Sequence, residues 1–587
     1  MTFVPFGRLL LASTLVFSSL CEIGSAQQTV LSDKILPRDT FLHFSIPSVQ
    51  KLKQALENSS TGELWADPAF DDFKAEINTA FSSELNEMLT KVNESLGLSL
   101  EELLNIPAGE VSLAVSATGN RMGGALFLDY GENQSQIESL LQKAVEELSK
   151  SPGLQQASTT IEGTEVTLFN VTSPVAKQTP LAKEFGWFLR DSRLVVSNSR
   201  PLLEAILAGW DGTGSQTLHS NPVYAYIMER CQSSPDADMI TMYFDPIGLV
   251  TKLVQTGSAG EAGMGAGMFL GFLPTLGLNQ LKAMGSVAQM NVEGFEGVSR
   301  SFIYSEQPAA GAMRIFLLDQ VEQAPPEWVK EGVSLYMATR WKVDEAYAAV
   351  ESLVDMFQGA GTLAGLIEQY ASRGPQVHIK NDLIDQLDGN LQVVSAPNAD
   401  EETPGSDQML FVVGVRDADK MTNLLTKLAS EPGFPGESRE FQGATLYEVN
   451  AGPEQKFSFT VANSKLMICV GGALLEQVLR NDSDLEPLAE TEEYQQIAEH
   501  FRSGALAVTY TNPAAQYRSL YDLLKNGKAA ENFPGMDDFF ERIDFSRLPA
   551  FEVIEKYLSP AGGCWIGDDN GVLMEQFSLK RDGEDSE

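Results

Sequence analysis

The chain has 587 residues, 43% of them hydrophobic, enough for about three or four average domains with ample core. Its 80 acidic residues against 41 basic ones give a formal charge of −39 at pH 7. Such a surface repels phosphate backbones and anionic head groups, which excludes nucleic acid as a natural partner.

Residues 1–26 read as a secretory signal. One base, Arg8, precedes an uncharged run from Leu9 to Cys21, and small residues at Gly24 and Ala26 suit a cut before Gln27. A lipid anchor at Cys21 fits less well, because Leu20 stands where such signals want a small residue. Cleavage removes Arg8 and Glu22 together, so the exported chain keeps its charge. The expected address is periplasm, cell envelope or medium, with no transmembrane span once the signal is gone.

From residue 27 the chain repeats itself. "LNIPAGEVSLAVSA" is answered by "IDQLDGNLQVVSAP", "IEGTEVTLFNV" by "FQGATLYEV", "DSRLVVSNSRPLLEAIL" by "NSKLMICVGGALLEQVL", and "MITMYFDPIGLV" by "GALAVTYTNPAAQY", always in the same order. A shared order of that length predicts two copies of one unit, 27–315 and 316–581, followed by an acidic disordered tail, 582–587.

Within each copy the pattern is the same. "DTFLHFSIPSVQKLKQAL" and "GVSLYMATRWKVDEAYAAV" open with a strand and a helix, and long helical stretches follow near 68–104 and 347–387. Ile137, Leu140, Leu141, Val145 and Leu148 share a helical face, as do Met421, Leu424, Leu425 and Leu428. Both helices stop at Pro-Gly pairs, 152–153 and 432–433. Asp191-Ser192 and Asn463-Ser464 then sit between apolar runs as hairpin turns. Short helices follow at "RPLLEAIL" and "GGALLEQVL", and again near Ser220-Asn221-Pro222 and Thr491, placing Tyr224 and Tyr494 alike. Hairpins and short strands favour antiparallel sheet, so the fold class is α+β: two similar lobes, each a mainly antiparallel sheet with helices packed on one face.

The segment at about 257–281 carries no charge from Ala262 to Leu281 and is long enough to span a bilayer if helical. Its glycines and Pro274 make a poor helix, so it is expected to be a loop or lid, ahead of an apolar surface hairpin or a span.

A search for chemistry assigns no catalytic, cofactor-binding or metal residue. No G-x-S-x-G elbow occurs. His43, His219, His378 and His500 lack paired spacing, and His43 reads as a half-buried strand residue. Asp482, Asp484, Glu486, Glu490 and Glu493 mimic a calcium loop, but Pro487 stands where glycine is required. "GMGAGMFLG" lacks a P-loop lysine, and "GGCWIG" around Cys564 lacks a downstream histidine. Cys231, Cys469 and Cys564 are an odd set read as buried free thiols. Asn58, Asn93, Asn133, Asn170 and Asn481 open N-x-[ST] triplets that matter only in a glycosylating host.

The opening Leu36-Pro37, Ser48-Val49, the phrase from Thr61 through Asp67-Pro68 to Phe73, and "IPAGE" at 106–110 together resemble large secreted bacterial proteins of unknown function, abundant in planctomycete-type genomes. The resemblance covers the first 250 residues best and thins in the second copy, which lacks the Asp-Pro phrase. It implies export and a duplicated α+β architecture, and it supplies no catalytic residues. The leading functional expectation is therefore an exported, non-catalytic envelope protein binding an apolar ligand or a protein partner. A structural scaffold is the alternative, and a hydrolase using distant carboxylates is the third reading.

Overall fold

The computed structural model describes residues 30–81, 105–172, 183–258, 262–292, 294–373, 376–398, 407–450, 456–471, 473–481, 484–529, 533 and 536–581. The expected secretory signal, much of the helical stretch expected near 68–104, Asn93, Asp482 and the acidic tail lie outside them. The chain divides into two compact units, one of residues 1–62, 81–270 and 283–290, the other of residues 63–80, 271–282 and 291–587.

Unit 1 holds strands β1 (Thr40–Ile46), β2 (Val111–Thr118), β3 (Arg121–Asp129), β4 (Leu154–Ile161), β5 (Thr164–Val171), β6 (Glu184–Arg190), β7 (Arg193–Ser197), β8 (Asp238–Phe244) and most of β9 (Leu281–Val292). All pairings are antiparallel, in the order β9-β8-β1-β2-β3-β7-β6-β5-β4. Its helices include α1 (Val49–Glu57), α2 (Gln134–Ser149), α3 (Arg200–Ala208), α4 (Pro222–Arg230) and α5 (Pro246–Gln255). Asn221 and Asp245 cap α4 and α5 by accepting backbone N–H groups, each followed by proline in the first turn.

Successive strand residues face opposite ways, and both Leu194 and Val195 of β7 are buried. Leu194 joins Ile137 of α2, Phe169 and Trp187 in one cluster, while α3 packs on β7 from the other side. The antiparallel α+β reading holds, and helices cover both faces of this half of the sheet. The reason is compositional: β6 and β7 bury large apolar side chains on both faces, Trp187 and Phe188, Leu194 and Val195, so each face needs its own cover.

Within the apolar segment, helix α6 (Gly263–Leu276) corrects the expected loop. Helix propensity is a weak prior that packing overrides. Pro274 falls in the last turn, closed by Gly277 at φ 72°, so it breaks no hydrogen bond in the helix centre. No helix among the described residues is long and apolar enough to cross a membrane.

Unit 2 contains β10 (Phe295–Ser305), β11 (Leu318–Asp319), β12 (Leu335–Trp341), β13 (Leu387–Pro397), β14 (Asp407–Val415), β15 (Gly436–Phe441), β16 (Ala444–Asn450), β17 (Lys456–Ala462), β18 (Lys465–Val470), β19 (Ala507–Thr511), β20 (Ala561–Asp568) and β21 (Gly571–Leu579). They run β10-β21-β20-β19-β12-β13-β14-β18-β17-β16-β15, again all antiparallel, with β11 extending the β12 pairing. Helices α7 (Val343–Gln358), α8 (Thr362–Arg373), α9 (Ala418–Ala429), α10 (Leu474–Arg480), α11 (Glu492–Ala498) and α12 (Pro513–Lys525) complete the frame. Its largest core gathers Tyr336, Leu410, Val412, Val508 and Tyr510 from the central strands.

Candidate functional site

Met421, Leu424, Leu425 and Leu428 follow the i, i+3, i+4, i+7 rule along α9. Asp417 starts the helix, its Oδ1 accepting the N–H of Lys420 at 3.1 Å. Met421 and Leu424 are buried against Leu466 of β18, whereas Leu425 is half-buried and Leu428 is exposed. The apolar stripe is therefore longer than the sheet covers. The uncovered part forms one wall of a groove.

The opposite wall is a single π-helical turn, Ile379–Leu383, shaped by its own side chains. His378 Nδ1 accepts the N–H of Asn381 at 3.2 Å, and Asp382 Oδ2 accepts the N–H of His378 at 2.8 Å. Above it lies α8, introduced by Gly359 and Gly361 at φ 108° and 79°. Asp355 accepts from the backbone of Gly361 and Leu363 there, bonds that hold its carboxyl below the usual carboxylate range. Ile367 is the buried anchor of α8, and Tyr370 is left at the lip, 69% exposed.

Between these walls is a cavity of about 330 Å³ lined by Tyr370, Ile379, Met421, Leu425, Leu428 and Leu466 among others. Every lining side chain is apolar apart from the Tyr370 hydroxyl. The arrangement can hold an apolar molecule and offers it no nucleophile, acid or base. At the rim Lys380 lies 2.9 Å from Asp385 and over the Tyr347 ring, and His378 faces Glu368 at 3.6 Å. Lys427 reaches across from α9 to donate to the Gln376 carbonyl at 2.5 Å.

Unit 1 holds a second concentration of polar side chains. Glu110 and Arg193, each with a side chain 2% exposed, pair at 3.1 Å. Glu110 also accepts from the Ser32 N–H at 2.9 Å, the Ser32 hydroxyl and the Ser45 hydroxyl, and Arg193 donates to the Val30 carbonyl. Ser32 Oγ spends its proton on Glu110, so it accepts from Ser112 at 2.8 Å and from His43 Nε2 at 2.9 Å. That fixes the His43 tautomer and leaves His43 Nδ1 buried without a partner among the described residues. Burial lowers the His43 pKa to about 4, against the opposing charge of Asp33. Burial likewise lifts Glu110, with Arg193 offsetting part of the rise.

Ser32 beside a histidine superficially suggests a nucleophile, but Ser32, His43, Glu110 and Arg193 are all closed off from solvent. A site without access does no chemistry, so the cluster is an internal anchor for residues 30–32. His43 is fully buried, a correction to the half-buried reading. Alternation in "TFLHFSI" gave only its face, and the extra cover comes from the distant residue Ser32.

The other singled-out residues stay apart. His219 pairs with Asp33 at 2.9 Å, and His500 packs edge-on against Phe295 and Phe577. Cys231 follows α4, Cys469 is in β18 and Cys564 in β20, all buried free thiols. Among the described residues no three His, Cys, Asp or Glu side chains are grouped to hold a metal ion. The groove and Lys427 are what sequence reading missed. The one available signal was that the α9 stripe continues to Leu428, beyond what a short strand can cover.

Fold and site together define a mixed α+β protein with antiparallel sheets and an apolar groove. A family described as "Protein of unknown function (DUF3352)" matches residues 385–532, which include α9 and β18 but less than half of the chain. No relative is found among curated proteins. Of solved structures, crystal form III of TP0453 is 12% identical with a TM-score of 0.23, covering 49% of this chain and 84% of that one. Crystal form I of TP0453 is 11% identical with a TM-score of 0.19, covering 44% and 93%.

Proposed function

We propose that this chain is an exported, non-catalytic carrier of an apolar ligand, built from two copies of one α+β unit. The observation that carries the reading is the groove of about 330 Å³ between α8, the Ile379–Leu383 turn, α9 and β18. Its volume lies within the range of small-molecule sites, and its walls are apolar with a single polar group at the lip. The signal-like residues 1–26 support export to the periplasm, envelope or medium.

Duplication is supported by strand order. Reading β9-β8-β1-β2-β3-β7-β6-β5-β4 against β20-β19-β12-β13-β14-β18-β17-β16-β15 matches each hairpin and each crossover. In that alignment His43, opposite Tyr243, corresponds to Tyr336, opposite Tyr510. The buried charged cluster belongs to the first copy and the apolar groove to the second, so the copies have diverged into an anchor and a binding site.

Native mass spectrometry of residues 27–587, recovered from the producing cell, tests the carrier. Excess mass that disappears on solvent stripping and refolding is the expected result. A bare chain at all stages would overturn it. One observation favours a second reading, a scaffold that docks a partner protein: Met264, Met268, Phe269 and Phe272 of α6 are exposed. Crosslinking through α6 to one reproducible partner, with no small adduct, would select that reading.

A further inference from the structure

We propose that the groove takes a single-chain amphiphile with an anionic head, a fatty-acid-type carboxylate, whose tail lies along Met421, Leu425 and Leu466 and whose head pairs with Lys427. This rests on the carrier reading above and names its ligand class.

Size is the first argument. At about 330 Å³ the cavity is at the small end of ligand sites, room for one alkyl chain and too little for a two-chain lipid. Wall chemistry is the second. A polar group inside would lose its water without gaining a hydrogen bond, so the ligand's polar end must remain at the lip with Tyr370.

Charge at the lip is the third. Lys427 lies in α9 between the lining residues Leu425 and Leu428, and its amine reaches Gln376, the neighbour of lining residue Val377. It therefore crosses from one wall to the other. Its amine has three N–H donors, and the Gln376 carbonyl takes one. Among the described residues Lys427 makes no ion pair, in a chain whose net charge is −39. Two of the neighbouring cations are already matched, Lys380 with Asp385 and Lys420 with Asp417. Asp382 is turned to the His378 N–H. Lys427 is thus the cation left for a ligand, and two of its donors are open to a carboxylate. Repulsion from the remaining acids is screened beyond about 8 Å at physiological ionic strength, so the contact charge decides.

The test is calorimetric titration of delipidated residues 27–587 at pH 8 with dodecanoate, dodecanol and dodecyltrimethylammonium, each below its micellar concentration. Dodecanoate is expected to bind about tenfold tighter than dodecanol, the margin of a charge-assisted hydrogen bond at a partly exposed site. Lys427→Met should erase that margin while leaving dodecanol unchanged, and Leu428→Trp at the mouth should weaken both. Both side chains are exposed, so both variants keep the fold, which circular dichroism verifies. Equal affinity for dodecanoate and dodecanol, with both lost in Leu428→Trp, overturns the head-group assignment and leaves the carrier standing. Tighter binding of the cation does the same. Absence of binding by all three, or binding indifferent to Leu428→Trp, overturns the groove itself.

Discussion

Arg193 and Glu110 show how much a single buried pair can hold. Removing one partner leaves the other charge buried and uncompensated, a loss of about 3–5 kcal/mol. Arg193→Met is therefore expected to lower the unfolding free energy of unit 1, read from urea titration, by that amount, and adding Glu110→Leu to recover part of it. Full stability in Arg193→Met alone would mean that the pair is not closed in solution. His43 supplies a pH dependence. Its folded pKa of about 4 lies below the ordinary 6.5, so between these values the unfolded chain takes up a proton that the folded one declines. Stability should fall by about 3 kcal/mol as pH drops from 7 to 4, with the loss complete below 4. Glu110, raised by burial, acts in the opposite direction, since the folded state keeps its proton longer. Comparing wild type with His43→Gln, which can still reach Ser32, isolates the histidine. An unchanged slope in the variant would refute its part.

At the scale of elements, the hairpins β6–β7 and β17–β18 are the clearest case of sequence dictating backbone. Asp191 and Ser192 have φ 48° and 59°, Asn463 and Ser464 φ 50° and 55°. Two successive left-handed residues make a type I′ turn, one of the two turn types whose twist follows that of the flanking strands. Aspartate and asparagine accept this conformation readily, serine less so. Ser464→Gly should therefore stabilise unit 2 by about 0.5–1 kcal/mol and Ser464→Val destabilise it by about 1–2 kcal/mol. Thermal melts that ranked the two variants the other way would show that the turn is not formed. α6 is the opposite case. Its glycines and Pro274 argued for a loop, yet apolar side chains run along its length and Pro274 falls in the last turn, where it does not interrupt the helix.

For the whole molecule the governing quantity is charge. At −39 the folded chain repels itself. Raising salt from 10 to 150 mM shortens the screening length from about 30 to about 8 Å. The first thermal transition is therefore expected to move upward over that range. A downward shift would mean that the surface ion pairs outweigh the repulsion, as they would be screened too.

The sequence by itself determined the antiparallel α+β class, the helix caps at Asn221 and Thr491, the turns at Asp191-Ser192 and Asn463-Ser464, and the stripe on α9. Each is written within a few residues, where backbone preference and side-chain period act directly. Tertiary structure alone decided that Glu110 meets Arg193, that Ser32 closes over His43, that helices cover both faces of β5–β7, and that Leu428 and Lys427 stand beside an open groove. Those meetings join residues of different elements, 11 positions apart for Ser32 and His43 and 83 for Glu110 and Arg193, and no local period records them. They are set by which surfaces remain uncovered once the sheets have formed, a quantity that exists only in three dimensions.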